Sequence, residues 1–144
     1  MSEKEKFSEL RDVPLCERGR RILIVDDEDN DRDLNSRLLI RAGYEVVGAV
    51  DGDAAWETIQ TQYFDLMITD NSMPKVTGIE LVNKLHAAGN ELEIIFLTGE
   101  FPYDQFKRYP WLKNMVILTK PLTNSEILSV VGKKLNNKAN SDQS

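Results

Sequence analysis

Five polar side chains stand at or just after apolar runs in this sequence. Asp26 and Asp27 follow the run at 22–25, Asp70 closes the one at 64–69, Thr98 follows 94–97, and Lys120 comes just after 115–118. Each has an ordinary explanation by itself. An aspartate in such a place is commonly a turn residue or a helix N-cap, a role that suits Asp29 or Asn30 here. As a set they suggest chemistry. Two carboxylates ~4 Å apart repel by about 4 kcal/mol at an effective dielectric of 20, so three held together call for a cation. A hard divalent ion with oxygen ligands answers that repulsion. Magnesium suits the set because it keeps several waters and binds through few carboxylates plus a phosphate. With the charge cancelled, one aspartate can act as a nucleophile toward a phosphoryl group. Lys120 and Thr98 would then neutralise and hydrogen-bond the phosphoryl oxygens.

The elements that must position these residues read as a parallel sheet. Apolar runs at 22–25, 46–50, 64–69, 94–97 and 115–118 are mostly continuous rather than alternating, as in strands buried on both faces. Helical spacing separates them. Leu34, Leu38, Leu39 and Ala42 mark the first helix, ending near Gly43, and Ala55, Trp56 and Ile59 mark the second. Ile79, Val82 and Leu85 mark the third, which opens with the capping-box sequence Thr77-Gly78-Ile79-Glu80, and Ile127, Val131 and Leu135 mark the last, which opens with a second box, Thr123-Asn124-Ser125-Glu126. The alternation predicts an α/β fold, a doubly wound five-stranded parallel sheet with helices on both faces. Ligands of such sheets bind beyond the carboxyl ends of the strands, where the five polar residues fall. The fourth connection departs from the pattern. Pro102 is acceptable at the start of a helix, but Pro110 pushes Tyr109 out of the helical region, so the fourth helix is expected to be short or irregular.

Composition bounds the function classes. The chain has 144 residues, 41% of them hydrophobic and 29% charged, which suits one soluble domain. Residues 1–19 read as a flexible N-terminal extension and 137–144 as a disordered tail, leaving one domain over 20–136. Residues 26–33 hold six acids and one base, a local charge of −5 out of a total of −6. A nucleic-acid surface would be basic and a solubilising coat diffuse; this is a focused negative site. No apolar run approaches the ~18 residues of a membrane span. With one cysteine, Cys16, and no signal-peptide pattern, a cytoplasmic location is expected, with no membrane and no direct nucleic-acid partner.

The segments Ile22-Leu23-Ile24-Val25-Asp26-Asp27-Glu28, Asp70-Asn71-Ser72-Met73-Pro74-Lys75-Val76-Thr77-Gly78, Leu97-Thr98-Gly99 and Thr119-Lys120-Pro121 resemble the receiver domains of two-component response regulators. The intervals of 43, 28 and 22 residues between Asp27, Asp70, Thr98 and Lys120 are similar to that family's as well. The resemblance spans roughly 20–135. It implies the flavodoxin-like strand order 2-1-3-4-5 and a phosphorylation-controlled signalling switch. Asp70 would be the modified residue, accepting a phosphoryl group from a sensor histidine kinase or a histidine phosphotransfer protein. Asp27 and Asp70 would ligate magnesium directly, Asp26 mainly through water, and Ser72 through its backbone carbonyl. Lys120, before a cis bond to Pro121, would pair with Asp70 and then with the phosphoryl group, and Thr98 would move to bond it. Ser72 and Glu100 would flank the path of an attacking water. Such a domain catalyses its own phosphorylation and dephosphorylation without being a turnover enzyme. It would answer to a downstream protein, with a homodimer formed on phosphorylation as one outcome. No DNA-binding or catalytic segment follows residue 135, so either a stand-alone receiver or a piece of a longer protein is expected. Three positions depart from the family pattern. Ile117 stands where an aromatic usually couples to the threonine, Pro110 interrupts part of the usual output face, and Gly99 replaces the commoner alanine.

Competing readings fit the residues less well. A haloacid-dehalogenase-like phosphatase with Asp27 and Asp29 as nucleophile and acid needs further acids after a late strand, where this chain has Lys120-Pro121. A flavin module needs hydroxyls and amides in the first loop, not carboxylates that repel a phosphate. A calcium loop starting Asp27-x-Asp29-x-Asp31 fails at Arg32, where glycine is needed, and at Leu38, where glutamate is needed. His86, the only histidine, is expected to face solvent.

Overall fold

A computed structural model describes the backbone of residues 19–71 and 77–143, with side chains described up to Asn136. The expected N-terminal extension to residue 18, Cys16 and Ser72 lie outside the described residues. Five strands, β1 Arg21–Val25, β2 Glu45–Ala49, β3 Leu66–Thr69, β4 Glu93–Thr98 and β5 Val116–Thr119, alternate with helices α1 Asp29–Arg41, α2 Gly52–Thr61, α3 Gly78–Ala87 and α4 Asn124–Gln143. All pairings are parallel and the order is β2-β1-β3-β4-β5, the flavodoxin-like arrangement. No helix among the described residues is long and apolar enough to cross a membrane.

Strand side chains alternate between faces, so each continuous apolar run divides between two cores. Ile22, Ile24, Leu66, Ile68, Ile95 and Leu97 pack with Leu39 of α1 and with Ile127, Val131 and Leu135 of α4. Leu23, Val25, Met67, Ile94 and Phe96 pack with Ala55 of α2 and with Ile79, Val82 and Leu85 of α3. The edge strands are less covered: β5 has no fully buried residue and β2 only Ala49. Val50, expected in β2, falls outside it and is half exposed.

Caps explain most helix starts, and one differs from expectation. Asp51 accepts from the Ala54 amide at 2.8 Å to start α2. Thr123 and Glu126 bond reciprocally before α4, as a capping box requires. The N-cap of α1 is Glu28 rather than Asp29 or Asn30, and it makes no side-chain cap bond. Arg32 occupies the Asp29 carboxylate at 2.5 Å, so that acid lies in the first turn, where the positive end of the helix dipole favours it. At the other end of the chain, α4 carries its backbone to Gln143, past the boundary expected at 136. No glycine or proline occurs after Gly132 to stop it.

The fourth crossover is irregular, as its prolines predict. Two short 3₁₀ helices, Tyr103–Gln105 and Pro110–Asn114, replace an α-helix. Pro110 opens the second, whose Leu112 is buried. Phe106, Tyr109 and Trp111 lie half-buried against the α2–α3 core, and Tyr103 is 76% exposed.

Candidate functional site

Strand register brings the predicted residues to one edge of the sheet. The Asp70 amide donates to the Val25 carbonyl (3.0 Å), so the residue after β3 lies beside the end of β1. The Asp26 amide donates to Ala49 (3.1 Å), and the Lys120 amide donates to the carbonyl of Thr98 (2.7 Å). Carboxylate oxygens of Asp26, Asp27 and Asp70 lie within 4.8 Å of one another. Asp26 and Asp70 are buried and Asp27 is exposed, so solvent reaches the cluster from the Asp27 side.

Lys120 provides the counter-charge. Its Nζ donates to Asp70 Oδ2 at 3.0 Å and lies 3.6 Å from Asp26 Oδ2 and 3.7 Å from Asp31 Oδ2. The Lys120–Pro121 bond is cis, as the resemblance implies. Burial alone would lower the Lys120 pKa, but the bond to Asp70 and the charges of Asp70, Asp26 and Asp31 outweigh it and raise the value. The Asp26 pKa is raised as well, for a different reason. Burial raises its pKa, and repulsion by Asp70 and Asp31 adds to this, against the Glu28 amide bond and Lys120, which lower it. One ammonium among four carboxylates leaves a surplus of negative charge. A hard divalent cation with oxygen preference fits that donor set.

The backbone around the cluster is closely packed. A Cβ on Gly78 would meet the Asp70 carbonyl at 2.5 Å, so only glycine lets α3 start this close to the acceptor loop. The Asn71 side chain accepts from the Ile79 amide at 3.1 Å, tying that loop to the helix N-terminus. Arg32 donates to the Asp26 carbonyl at 2.8 Å, and its stem crosses Gly48 of β2, where a Cβ would lie 3.1 Å from Arg32 Cδ. Sequence reasoning gave no site role to Asp31, Arg32 or Asn71. Their signal was only position, in the first turn after β1 and next to Asp70.

Other predicted residues are placed as follows. Thr98 ends β4, is buried, and donates its hydroxyl to the Glu100 carbonyl at 3.2 Å. Glu100 is exposed. Ile117 is half-buried against the α2–α3 core. His86 is exposed and stacks on Trp111 with ring centroids 5.1 Å apart. Asp29 pairs with Arg32 and is not part of the three-acid cluster.

The model of the response regulator receiver domain matches residues 22–132, a span that contains every residue of the cluster. The chain belongs to the response regulator receiver domain family. Among relatives, the sensor protein EvgS of Escherichia coli O157:H7 is 38% identical over 102 residues, 71% of this chain and 8% of that protein. The response regulator receiver protein CpdR of Brucella abortus is 36% identical over 80 residues, 56% of this chain and 67% of CpdR. The chain thus spans under a tenth of the length of EvgS. Among solved structures, a CheY-like receiver from Methanospirillum hungatei aligns at a TM-score of 0.77 and 26% identity, covering 85% of this chain and 98% of that one. The response regulator TrrA of Thermotoga maritima, solved with Mg²⁺ and BeF, aligns at 0.70 and 29% identity, covering 80% of this receiver and 98% of TrrA. Receiver domains bind magnesium at an acidic pocket, and Asp26, Asp27 and Asp70 form an acidic cluster in this receiver.

Proposed function

We propose that this receiver is a phosphorylation-controlled switch that takes a phosphoryl group onto Asp70 from a phosphohistidine on a histidine kinase or phosphotransfer protein. The observation that carries the reading is the 3.0 Å bond from Lys120 Nζ to Asp70 Oδ2, made within a cluster of three carboxylates. Asp70 and Asp27 would hold magnesium directly, Asp26 through water, and the Ser72 carbonyl would complete the protein ligands. The metal supplies charge neutralisation of the phosphoryl oxygens and of the acids.

The chain's own residues do the rest. A carboxylate oxygen of Asp70 attacks phosphorus, the P–N bond breaks, and the imidazole nitrogen leaves with the electron pair. Lys120 transfers its hydrogen bond from the carboxylate to a phosphoryl oxygen, where the charge now lies. The Thr98 hydroxyl leaves the Glu100 carbonyl and donates to another phosphoryl oxygen. Water later attacks the phosphorus, the bond to the Asp70 oxygen breaks, and carboxylate and inorganic phosphate are restored. Glu100, two residues past Thr98, would border that path. The domain therefore turns over only its own phosphoryl group, and a downstream protein reads the state, through a homodimer or a separate partner.

Intact-mass measurement after incubation with magnesium and acetyl phosphate tests the reading. The expected result is an acid-labile gain of one phosphoryl group. No gain in wild type, under conditions where the fold is intact, would overturn it.

A further inference from the structure

One acid at the site takes no part in the reaction just described. Asp31, in the first turn of α1, brings its Oδ2 to 3.7 Å from Lys120 Nζ, the ammonium that bonds Asp70 at 3.0 Å. The Asp31 side chain is 49% exposed and that of Asp70 10%, so Asp31 stands on the solvent side of the shared ammonium. It is also held in place. Arg32, the next residue, bonds the Asp26 carbonyl and the Asp29 carboxylate, with its stem laid across Gly48. This fastens the first turn of α1 to the ends of β1 and β2. A lysine ammonium has three donors, and here three carboxylates surround it.

Two electrostatic consequences have opposite signs. A free phosphodonor is an anion, and it approaches a Lys120 whose charge Asp31 partly cancels. A magnesium ion gains from the same arrangement, because Asp31 draws ammonium charge away from Asp26 and Asp70 and adds a negative charge of its own. We propose that Asp31 is a specificity-determining residue that discriminates among phosphodonors by net charge and disfavours the more anionic. The proposal rests on the reading of Asp70 as acceptor.

The test compares wild type, Asp31→Asn and Asp33→Asn at saturating magnesium and fixed ionic strength. Asp33 is exposed on the same helix, pairs with Arg37 at 3.1 Å, and serves as a surface-charge control. Labelling rates are read by intact mass with acetyl phosphate, a dianion at neutral pH, and with phosphoramidate, of net charge −1. Coulomb work is linear in donor charge, so a gain of about threefold for the monoanion in Asp31→Asn becomes about tenfold for the dianion. Calorimetry on the unphosphorylated proteins should show magnesium affinity falling about threefold in Asp31→Asn, with Asp33→Asn like wild type throughout. A structural role for Asp31 would slow both donors together. Equal gains for the two donors, slower labelling, or tighter magnesium binding would overturn the proposal. Labelled wild type with an indistinguishable Asp31→Asn overturns this proposal alone, whereas unlabelled wild type overturns the acceptor reading and this with it.

Discussion

Replacing Asp26 with asparagine should stabilise the metal-free receiver and weaken its response to magnesium. Asp26 is 3% exposed, and its carboxylate shares a 4.8 Å sphere with those of Asp27 and Asp70. At an effective dielectric of 20, each of those two repulsions is worth about 3.5 kcal/mol at 4.8 Å, and the attraction to Lys120 at 3.6 Å about 4.6 kcal/mol. Solvent screens the term with exposed Asp27, so the substitution should stabilise by no more than about 2 kcal/mol. For a chain of this length that is a rise of about 4–8 °C in Tm. The asparagine oxygen can still accept from the Glu28 amide, so the turn survives. The sign of the pH dependence follows from the raised pKa of Asp26. A carboxyl whose folded pKa exceeds its unfolded one favours the fold while protonated. That stability is complete below the unfolded pKa and is lost as pH rises through the folded one. Metal-free wild type should therefore gain on Asp26→Asn as pH falls, and the two should converge in acid. Thermal melts in chelator across that range, repeated with magnesium, provide the assay. Wild type should gain RT ln(1 + [L]/Kd) from the metal, and the variant clearly less. A metal-free Asp26→Asn that melts at or below wild type at neutral pH would refute the reasoning.

Four further outcomes are expected. Gly78→Ala should destabilise by about 1–3 kcal/mol and slow labelling, because its Cβ meets the Asp70 carbonyl at 2.5 Å. Gly132→Ala, with nothing within 4 Å inside α4, should stabilise by about 0.5–1 kcal/mol; chemical melts of both variants compare them. Glu100→Ala should lengthen the phosphoryl half-life several-fold by removing a carboxylate that orients water, and equal half-lives would leave Glu100 without that role. Addition of a beryllofluoride phosphate mimic should shift amide resonances across 101–111, because Thr98 gives up the Glu100 carbonyl just before Phe101. Perturbations confined to the site loops would place the output elsewhere.

The central strands were legible because β1, β3 and β4 are buried on both faces, which turns their sequences into unbroken apolar runs. The ends of strands were read less well. Val50 was expected in β2, and β3 begins at Leu66 although the apolar run starts at 64. The irregular fourth crossover could be read from Pro102 and Pro110, since proline acts locally. The start of α1 could not, because the capping preference of Asp29 was overridden by a bond to Arg32, whose side chain also serves Asp26. The five polar residues could be located because each is tied to a strand end, and register then brings the strand ends together. Asp31 and Arg32 escaped notice for the opposite reason. Their roles depend on how α1 is tilted onto β1 and β2, a tertiary fact with no period in the sequence. The close approach of Gly78 to Asp70 is another such fact, visible beforehand only as a turn glycine.

The central claim is that Asp70 is the phosphoryl acceptor, and intact mass on wild type and Asp70→Asn tests it most directly. Both proteins are incubated with magnesium and acetyl phosphate, then measured before and after acid treatment, with circular dichroism to confirm that the variant is folded. Wild type should gain the mass of one phosphoryl group and lose it in acid, and folded Asp70→Asn should gain nothing. A phosphoryl group carried equally by both proteins would contradict the claim and move the chemistry to another residue.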